Sequence, residues 1–339
     1  MNTGKVTIHD ISKALNIDSS TVSRALNNSV RVSKTTKEKI LAKAKELGYQ
    51  RNSLASNLRT NKTNTIGVVV PRISRHFFST VIAGIEETAY DNGYNVVICQ
   101  SLEQLKREQI ITETLVSNRV DGLLISISMQ TTSFEHLEAF EGYGAPIVFY
   151  DRPCNFKNSS SVSIDDFEAS FKATEHLILQ GCNHIVHFGG PQDITLYQNR
   201  KEGYKAALVK HGLGYNPDYF FSTKLSEEDG VAMAKKIVKF STVDGIVSAN
   251  DTAAISAMRY LKSVGKHIPK DIAVVGFNND PISAVIEPSL TTINQADFNM
   301  GKKATMILIE QIKNNRTTRL SVVLESELIV RDSSKYKND

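Results

Sequence analysis

The sequence predicts an N-terminal all-α helix-turn-helix head joined by a short linker to an α/β body of two doubly wound parallel-sheet lobes. Three observations carry this. The first 48 residues hold three capped amphipathic patterns. Positive charge is concentrated in residues 1–64, which carry twelve Lys/Arg against four Asp/Glu, while the rest of the chain is slightly acidic. From residue 65 onward, short apolar runs alternate with helical stretches.

The first pattern starts at Thr7, which with Asp10 makes a capping-box-like opening before an apolar stripe of Ile11, Ala14 and Leu15. After the break "NID", Asp18 is an N-cap for "SSTVSRALN", and Ile17 and Val22 sit at hydrophobic-staple positions. On that helix Val22, Ala25 and Leu26 fall on one side, and Ser20, Ser23, Arg24 and Asn27 on the other. The third pattern starts near Ser33, uses Ile40, Leu41, Ala44 and Leu47 as its apolar face, and stops at Gly48.

Two short helices with a tight break, followed by a third, outline a motif whose second helix lies in the DNA major groove. Arg24 is the side chain there able to make a bidentate contact, most often to guanine. Ser19 and Ser20 would enter the groove first. Thr21, Ser23, Asn27 and Ser33 suit phosphates, and Thr7, at the start of the first helix, is expected to face the DNA as well. A bundle with an idle polar face is the competing reading. A basic head on a mildly acidic body favours a polyanionic partner.

In the body, "TIGVVV", "YNVVICQ", "GLLISI", "PIVFYD", "HIVHFGG", "YFFSTK", "GIVSAN" and "IAVVGFN" read as about eight strands in two series. Near-continuous apolar strands alternating with helices mean parallel sheets covered on both faces. The series break near Ile164, and two such sheets side by side leave a cleft. Ligands bind such sheets beyond the carboxyl ends of the strands. Phe77, Phe78, Asp151, Arg200, Asn250, Asp251 and Asn278 stand there. Aromatic faces with carboxylates, amides and one guanidinium suit a sugar-like or other polar ring. For Phe77 and Phe78, a place in the core is the alternative.

Other classes find little support. No GxGxxG follows the first strand, and "GGP" at 189–191 is too weak a turn to cradle a pyrophosphate. The eight histidines show no metal spacing; His184 and His187 read as packing residues. No catalytic set, cofactor or metal is expected, so the protein is not read as an enzyme. Cys99, Cys154 and Cys182 are odd in number and widely spaced, as for reduced thiols. No apolar run is long enough to span a membrane and no secretory signal is visible, so a cytoplasmic protein is expected.

The stretch from Val6 to Asn52, through "TVSRALN", "VSKTTKEKI" and "ELGYQRN", resembles the head of the lactose-repressor (LacI/GalR) family of bacterial regulators. Asn16 and Asp18 stand where that family usually has Gly and Ser; both keep turn and capping chemistry. In the body, "GGPQDITLYQNRKEGYKAAL" and "SANDTAAISAMRYLKSVGKHIPKDIAVVGFNNDP" are similar to the family's effector domain, itself similar to periplasmic sugar-binding proteins.

The resemblance implies a head at 1–51 and a hinge helix with linker at 52–64. It also implies a first lobe from 65–164 plus 295–319, a second from 165–294 plus 320–331, and a polar tail at 332–339. Leu58 would wedge into the operator minor groove, with Ala55 beside it and Leu54 facing the partner hinge; Ser53 and Ser56 depart from the family's usual Pro and Arg. Asp151, Arg200, Asn250 and Asn278 are the implied ligand contacts. Asn278 stands where Asp is common, so the ligand would offer an acceptor there.

The implied function is an effector-controlled regulator, most simply a repressor of a carbohydrate operon. It would bind double-stranded operator DNA as a homodimer, with a small sugar or sugar derivative as effector and no membrane partner. The alternatives are a free-standing sugar-binding protein and a regulator answering to a non-sugar such as a nucleobase. No leucine-heptad helix follows Val330, so a dimer rather than a tetramer is expected.

Overall fold

The structure, a computed structural model, describes residues 6–49, 62–157, 159–314 and 318–335. The chain divides between Thr63 and Asn64 into a head unit and a body unit. The expected hinge helix, with Leu54, Ala55 and Leu58, lies outside the described residues.

The head has three helices: α1 (Ile8–Leu15), α2 (Ser19–Leu26) and α3 (Lys34–Glu46). At the start of α1 the Asp10 carboxylate accepts from both the Thr7 backbone N–H (2.8 Å) and its hydroxyl (2.7 Å). Asn16 ends α1 at φ 52°, ψ 44°, a left-handed conformation that Gly or Asn accepts most easily. Two residues later Asp18 accepts from the Ser20 N–H at 2.7 Å and opens α2. Ser33 caps α3 through the Thr36 N–H. Ile11, Val22, Ala25, Val32, Ile40 and Ala44 form the core, with Leu15, Ile17, Leu26 and Leu47 around it. Two expected core members are not inside: Ala14 is exposed and Leu41 is 48% exposed. Three short helices enclose only the centre of each stripe, and Leu41 is turned about 100° away from the fully buried Ile40.

The body has two six-stranded sheets among the described residues. The first contains β1 (Thr65–Val70), β2 (Asn95–Gln100), β3 (Gly122–Ile125), β4 (Ile147–Tyr150), β5 (Ser160–Ile164) and β11 (Ser321–Leu324), in the order β11-β5-β4-β3-β1-β2. The second contains β6 (Ile185–Gly189), β7 (Phe220–Ser222), β8 (Gly245–Ser248), β9 (Ala273–Phe277), β10 (Thr291–Asn294) and β12 (Glu327–Ile329), in the order β12-β10-β9-β8-β6-β7. All neighbours are parallel except β10 and β12. The eight apolar runs correspond to β1–β4 and β6–β9. The four further strands are short, and three of the five residues of β5 ("SSVSI") are serine.

The helices are α4 (His76–Asp91), α5 (Leu105–Ser117), α6 (Glu138–Gly142), α7 (Asp166–Leu179), α8 (Thr195–Lys210), α9 (Glu227–Ile237), α10 (Asp251–Ser263), α11 (Ile282–Val285) and α12 (Asp297–Asn314). Helices α4 and α12 pack backbone to backbone. A Cβ on Gly84 would lie 2.2 Å from the Phe298 carbonyl oxygen, and one on Gly301 2.1 Å from that of Val81. This contact fixes the start of α12, at Asp297, against the first lobe.

The chain passes between the sheets after β5, after β10 and again between β11 and β12. The expected third crossing near Leu320 is therefore displaced. Ser321–Leu324 pairs in parallel with Ser161–Ile164 in the first sheet, and only from Glu327 does the chain join the second. Alternating exposed and half-buried residues in β11 mark an edge strand, which satisfies its backbone on β5 before crossing. The expected polar tail also begins too early. Ser333 and Ser334 are fully buried; Ser333 bonds to Val274 and Thr291, and Ser334 to Thr291.

Candidate nucleic-acid interface and ligand cleft

On α2, Ser20 and Arg24 are exposed, and Ser19, Thr21 and Ser23 are half-buried. The Asp18 cap holds the first turn in place, and the N–H and hydroxyl of Ser20 keep that carboxyl below its usual pKa. The opposite face, Val22 and Ala25, is locked into the head core. Three expected DNA contacts have local duties as well. Asn27 donates to the Ser23 carbonyl at 2.7 Å, the Thr7 hydroxyl is engaged by Asp10, and Ser33 caps α3.

In the body, Asp151 and Asn278 follow β4 and β9 directly, and Asn250 and Asp251 stand just beyond β8 at the start of α10; Phe77 and Phe78 lie inside α4, and Arg200 inside α8. Asp151 follows β4 with φ 64°. Its backbone N–H bonds to Val162, and its carboxylate accepts from the Ser126 hydroxyl at 3.2 Å. Burial raises its pKa, while Arg152 and Arg200 pull it back. Arg200, from the second lobe, is therefore within electrostatic reach of this first-lobe carboxylate. Arg200 is itself only 3% exposed. It donates to Asp166 (2.8 Å) and to the Ala249 carbonyl (2.8 Å), and its guanidinium lies 3.5 Å from the centre of the Phe277 ring. Gln295 links this group to Asn278: its carbonyl faces Arg200 at 3.4 Å, and its amide donates to the Asn278 Oδ1 at 2.7 Å.

Asn250 and Asp251 hold the site's frame. Asn250 caps α10 through the Ala253 N–H and donates to the Leu225 carbonyl. Asp251 is fully buried; its carboxylate accepts from the Thr292 hydroxyl (2.7 Å) and the Asp280 N–H (2.8 Å), anchoring the turn that carries Asn278. Phe77 and Phe78 meet edge to face at 5.0 Å, are 4% and 7% exposed, and belong to the main core cluster.

Sequence reasoning missed several partners. Arg152 makes a two-point pair with Glu103 (2.8 and 2.9 Å) and donates to the Ile127 carbonyl. Glu103 also accepts from the Met129 N–H. Asp166 and Gln295 stand at the first two crossings between the sheets, a position that could have flagged them. Between the lobes, Arg75 donates to the Thr252 hydroxyl. Deeper in the second lobe, His187 is stacked between Tyr204 and Phe220, and burial drops its pKa to about 3, so it is a neutral packing residue. Among the described residues no cluster of His, Cys, Asp or Glu could hold a metal ion, and no helix is long and apolar enough to cross a membrane.

Burial raises the Asp251 carboxyl to about 8 and Asp297 to about 7, from 3.8 when unfolded. The folded state then holds these protons where the unfolded chain has lost them, so stability falls as pH rises. The pKa values of His176 and His187 are lowered below 6.5, giving the opposite slope, but only below about pH 6.5. Between pH 6.5 and 8 the carboxylates act without them. Thermal melts should therefore show a loss on the order of 2 kcal/mol across this window, and Asp251→Asn should flatten it.

Residues 7–52 match the model of the bacterial regulatory proteins of the lacI family, and residues 174–334 match a periplasmic binding protein-like domain. The chain is 32% identical over 334 residues to the ribose operon repressor of Halalkalibacterium halodurans, covering 97% of each. The chain belongs to the lacI family. Among solved structures, this lacI-family chain is similar to the transcriptional regulator CelR in complex with cellobiose (TM-score 0.74, 27% identity, 97% of this chain and all of that one). It is also similar to a LacI family regulator from Enterococcus faecium with bound ribose (TM-score 0.72, 28% identity, 80% of this chain and 98% of that one).

Proposed function

We propose that the protein is a cytoplasmic transcriptional repressor that binds a pseudo-palindromic operator as a homodimer and answers to a small sugar-like effector in the interlobe cleft. One observation carries the reading: α2 is capped by Asp18 and pinned by Val22 and Ala25, and so presents Ser20 and Arg24 outward from a fixed base. In a dimer, two such helices address half-sites one helical turn apart. The match to the ribose operon repressor and the sugars held by solved relatives support a carbohydrate effector.

Asp151 and Arg200 approach the ligand from opposite lobes, with Asn278 beside Arg200 and Asn250 and Asp251 holding the surrounding turns. Phe77 and Phe78, packed in the core, back its apolar side. A ligand that engages both lobes biases their relative position, and the first lobe leads directly into the hinge at 52–64. Leu58 insertion, flanked by Ala55, is the readout in this reading. Thr7, Ser19, Thr21, Ser23, Asn27 and Ser33 complete the DNA contacts. The chemistry is binding throughout; catalysis has no part in it.

Arg24→Ala tests the head. Gel shifts should show a loss of about 1–3 kcal/mol on the operator and relaxed specificity at one base pair. An equal loss on random DNA would reduce Arg24 to a phosphate contact.

A further inference from the structure

The two cleft arginines are each already neutralised. Arg152 is paired with Glu103 and Arg200 with Asp166. Further carboxylates remain around them. Asp297, at the crossing into α12, is 8% exposed, and its Oδ1 is buried with no hydrogen-bond partner. Asp280 also has a buried Oδ1 without a partner. Both Asp280 and Asp151 lie close enough to push the Asp297 carboxyl up, on top of its burial. Asp280 feels His76 and Arg75; at Asp297 the offset comes from its own backbone N–H rather than from a cation.

An acidic residue in the first turn of a helix is favoured by the helix dipole, but that role is served with the carboxylate in water. Burying an oxygen without a donor costs free energy that the fold does not recover. A bound molecule that brings a donor to this oxygen would recover that cost. A metal ion is not the answer, since these carboxylates do not converge on a metal-sized point. A neutral hydroxyl would fill the hydrogen bond and leave the charge. A phosphate or carboxylate would add like charge to it.

We propose that the effector carries a protonated amino group on a polyhydroxy frame, and that Asp297, with Asp280 beside it, receives the ammonium while Asp151 and Arg200 hold hydroxyls. This rests on the effector-cleft reading above and deepens it. A charge-assisted hydrogen bond to a buried carboxylate is among the stronger polar contacts.

The test is calorimetry on the full-length protein at pH 7.5 with D-glucose and D-galactose, their 2-amino-2-deoxy counterparts and their 6-phosphates. At least one amino sugar should bind ten-fold or more tightly than its parent, and neither phosphate should bind. Asp297→Asn should bring the amine-to-parent ratio to about one. The same variant without ligand should melt higher than the wild type, because an uncompensated buried charge is gone. Equal affinity of amine and parent, binding of a phosphate, binding by none of the six, or a lower melting temperature in Asp297→Asn overturns the proposal. A neutral sugar that binds and shifts operator affinity overturns it while the repressor reading stands. Failure of the unliganded protein to bind any operator duplex in a gel shift defeats that reading instead.

Discussion

Arg200→Ala should cost the protein about 3–5 kcal/mol of stability and abolish its effector response. The side chain is 3% exposed and joins Asp166, the Ala249 carbonyl and the Phe277 ring in one cluster. Its removal leaves Asp166 buried without its counter-ion. That carboxyl already sits at about 6, raised by burial and held down by Arg200. Without the guanidinium it climbs further, and the variant should be relatively more stable at pH 5 than at pH 8. Adding Asp166→Asn removes the stranded charge, so the double variant should regain much of the stability. It should not regain the effector response, because Arg200, the ligand's donor in the proposed site, is still missing. Melting curves separate the first effect, and operator gel shifts with and without effector the second. If Arg200→Ala responds normally, the cleft is misplaced.

Glu103→Gln should have a comparable effect from the other lobe. Glu103 holds Arg152 at two points and ties down the Met129 N–H. Arg152 is 4% exposed, and its Nε already lacks a hydrogen-bond partner. The neutral amide leaves a buried guanidinium whose nearest carboxylate is Asp151, 3.6 Å from Nε. A loss of about 3–5 kcal/mol is expected in thermal or urea melts. Effector affinity should fall as well, since Asp151 would turn to Arg152 and away from the ligand. A variant of wild-type stability would show that the pair is open to water.

Much of this was legible in the chain itself. Caps such as Thr7, Asp18 and Ser33 announce their helices because capping is local chemistry within a few residues. Six of the eight apolar strands stand out because both faces of each are covered, while β2 and β7, at the sheet edges, are partly exposed. Asp151 and Asn278 were readable as strand-end residues; Arg200, expected at a strand end too, lies inside α8. What was hidden is long-range. Nothing near Glu103 predicts Arg152, forty-nine positions away. Strand β11 falls in the 320–331 segment expected in the second lobe, yet its partner is Ser161–Ile164 of the first. Asp251 looks like a ligand residue from its place after β8, but Thr292 and the Asp280 N–H claim its carboxylate. Ser333 and Ser334 look like tail, because a small hydroxyl carries no sign of whether it will be buried.

The central claim is that cleft and operator are coupled through one molecule. Its most direct test uses the full-length protein, a pseudo-palindromic duplex selected by that protein from random sequence, and the sugar that raises its melting temperature most. Operator affinity is measured with and without saturating sugar, and sugar affinity with and without the duplex. Both should change by the same factor, as linkage requires, and Leu58→Ala should weaken operator binding while leaving sugar affinity in the DNA-free protein intact. An operator affinity untouched by a sugar that binds in the cleft would contradict it.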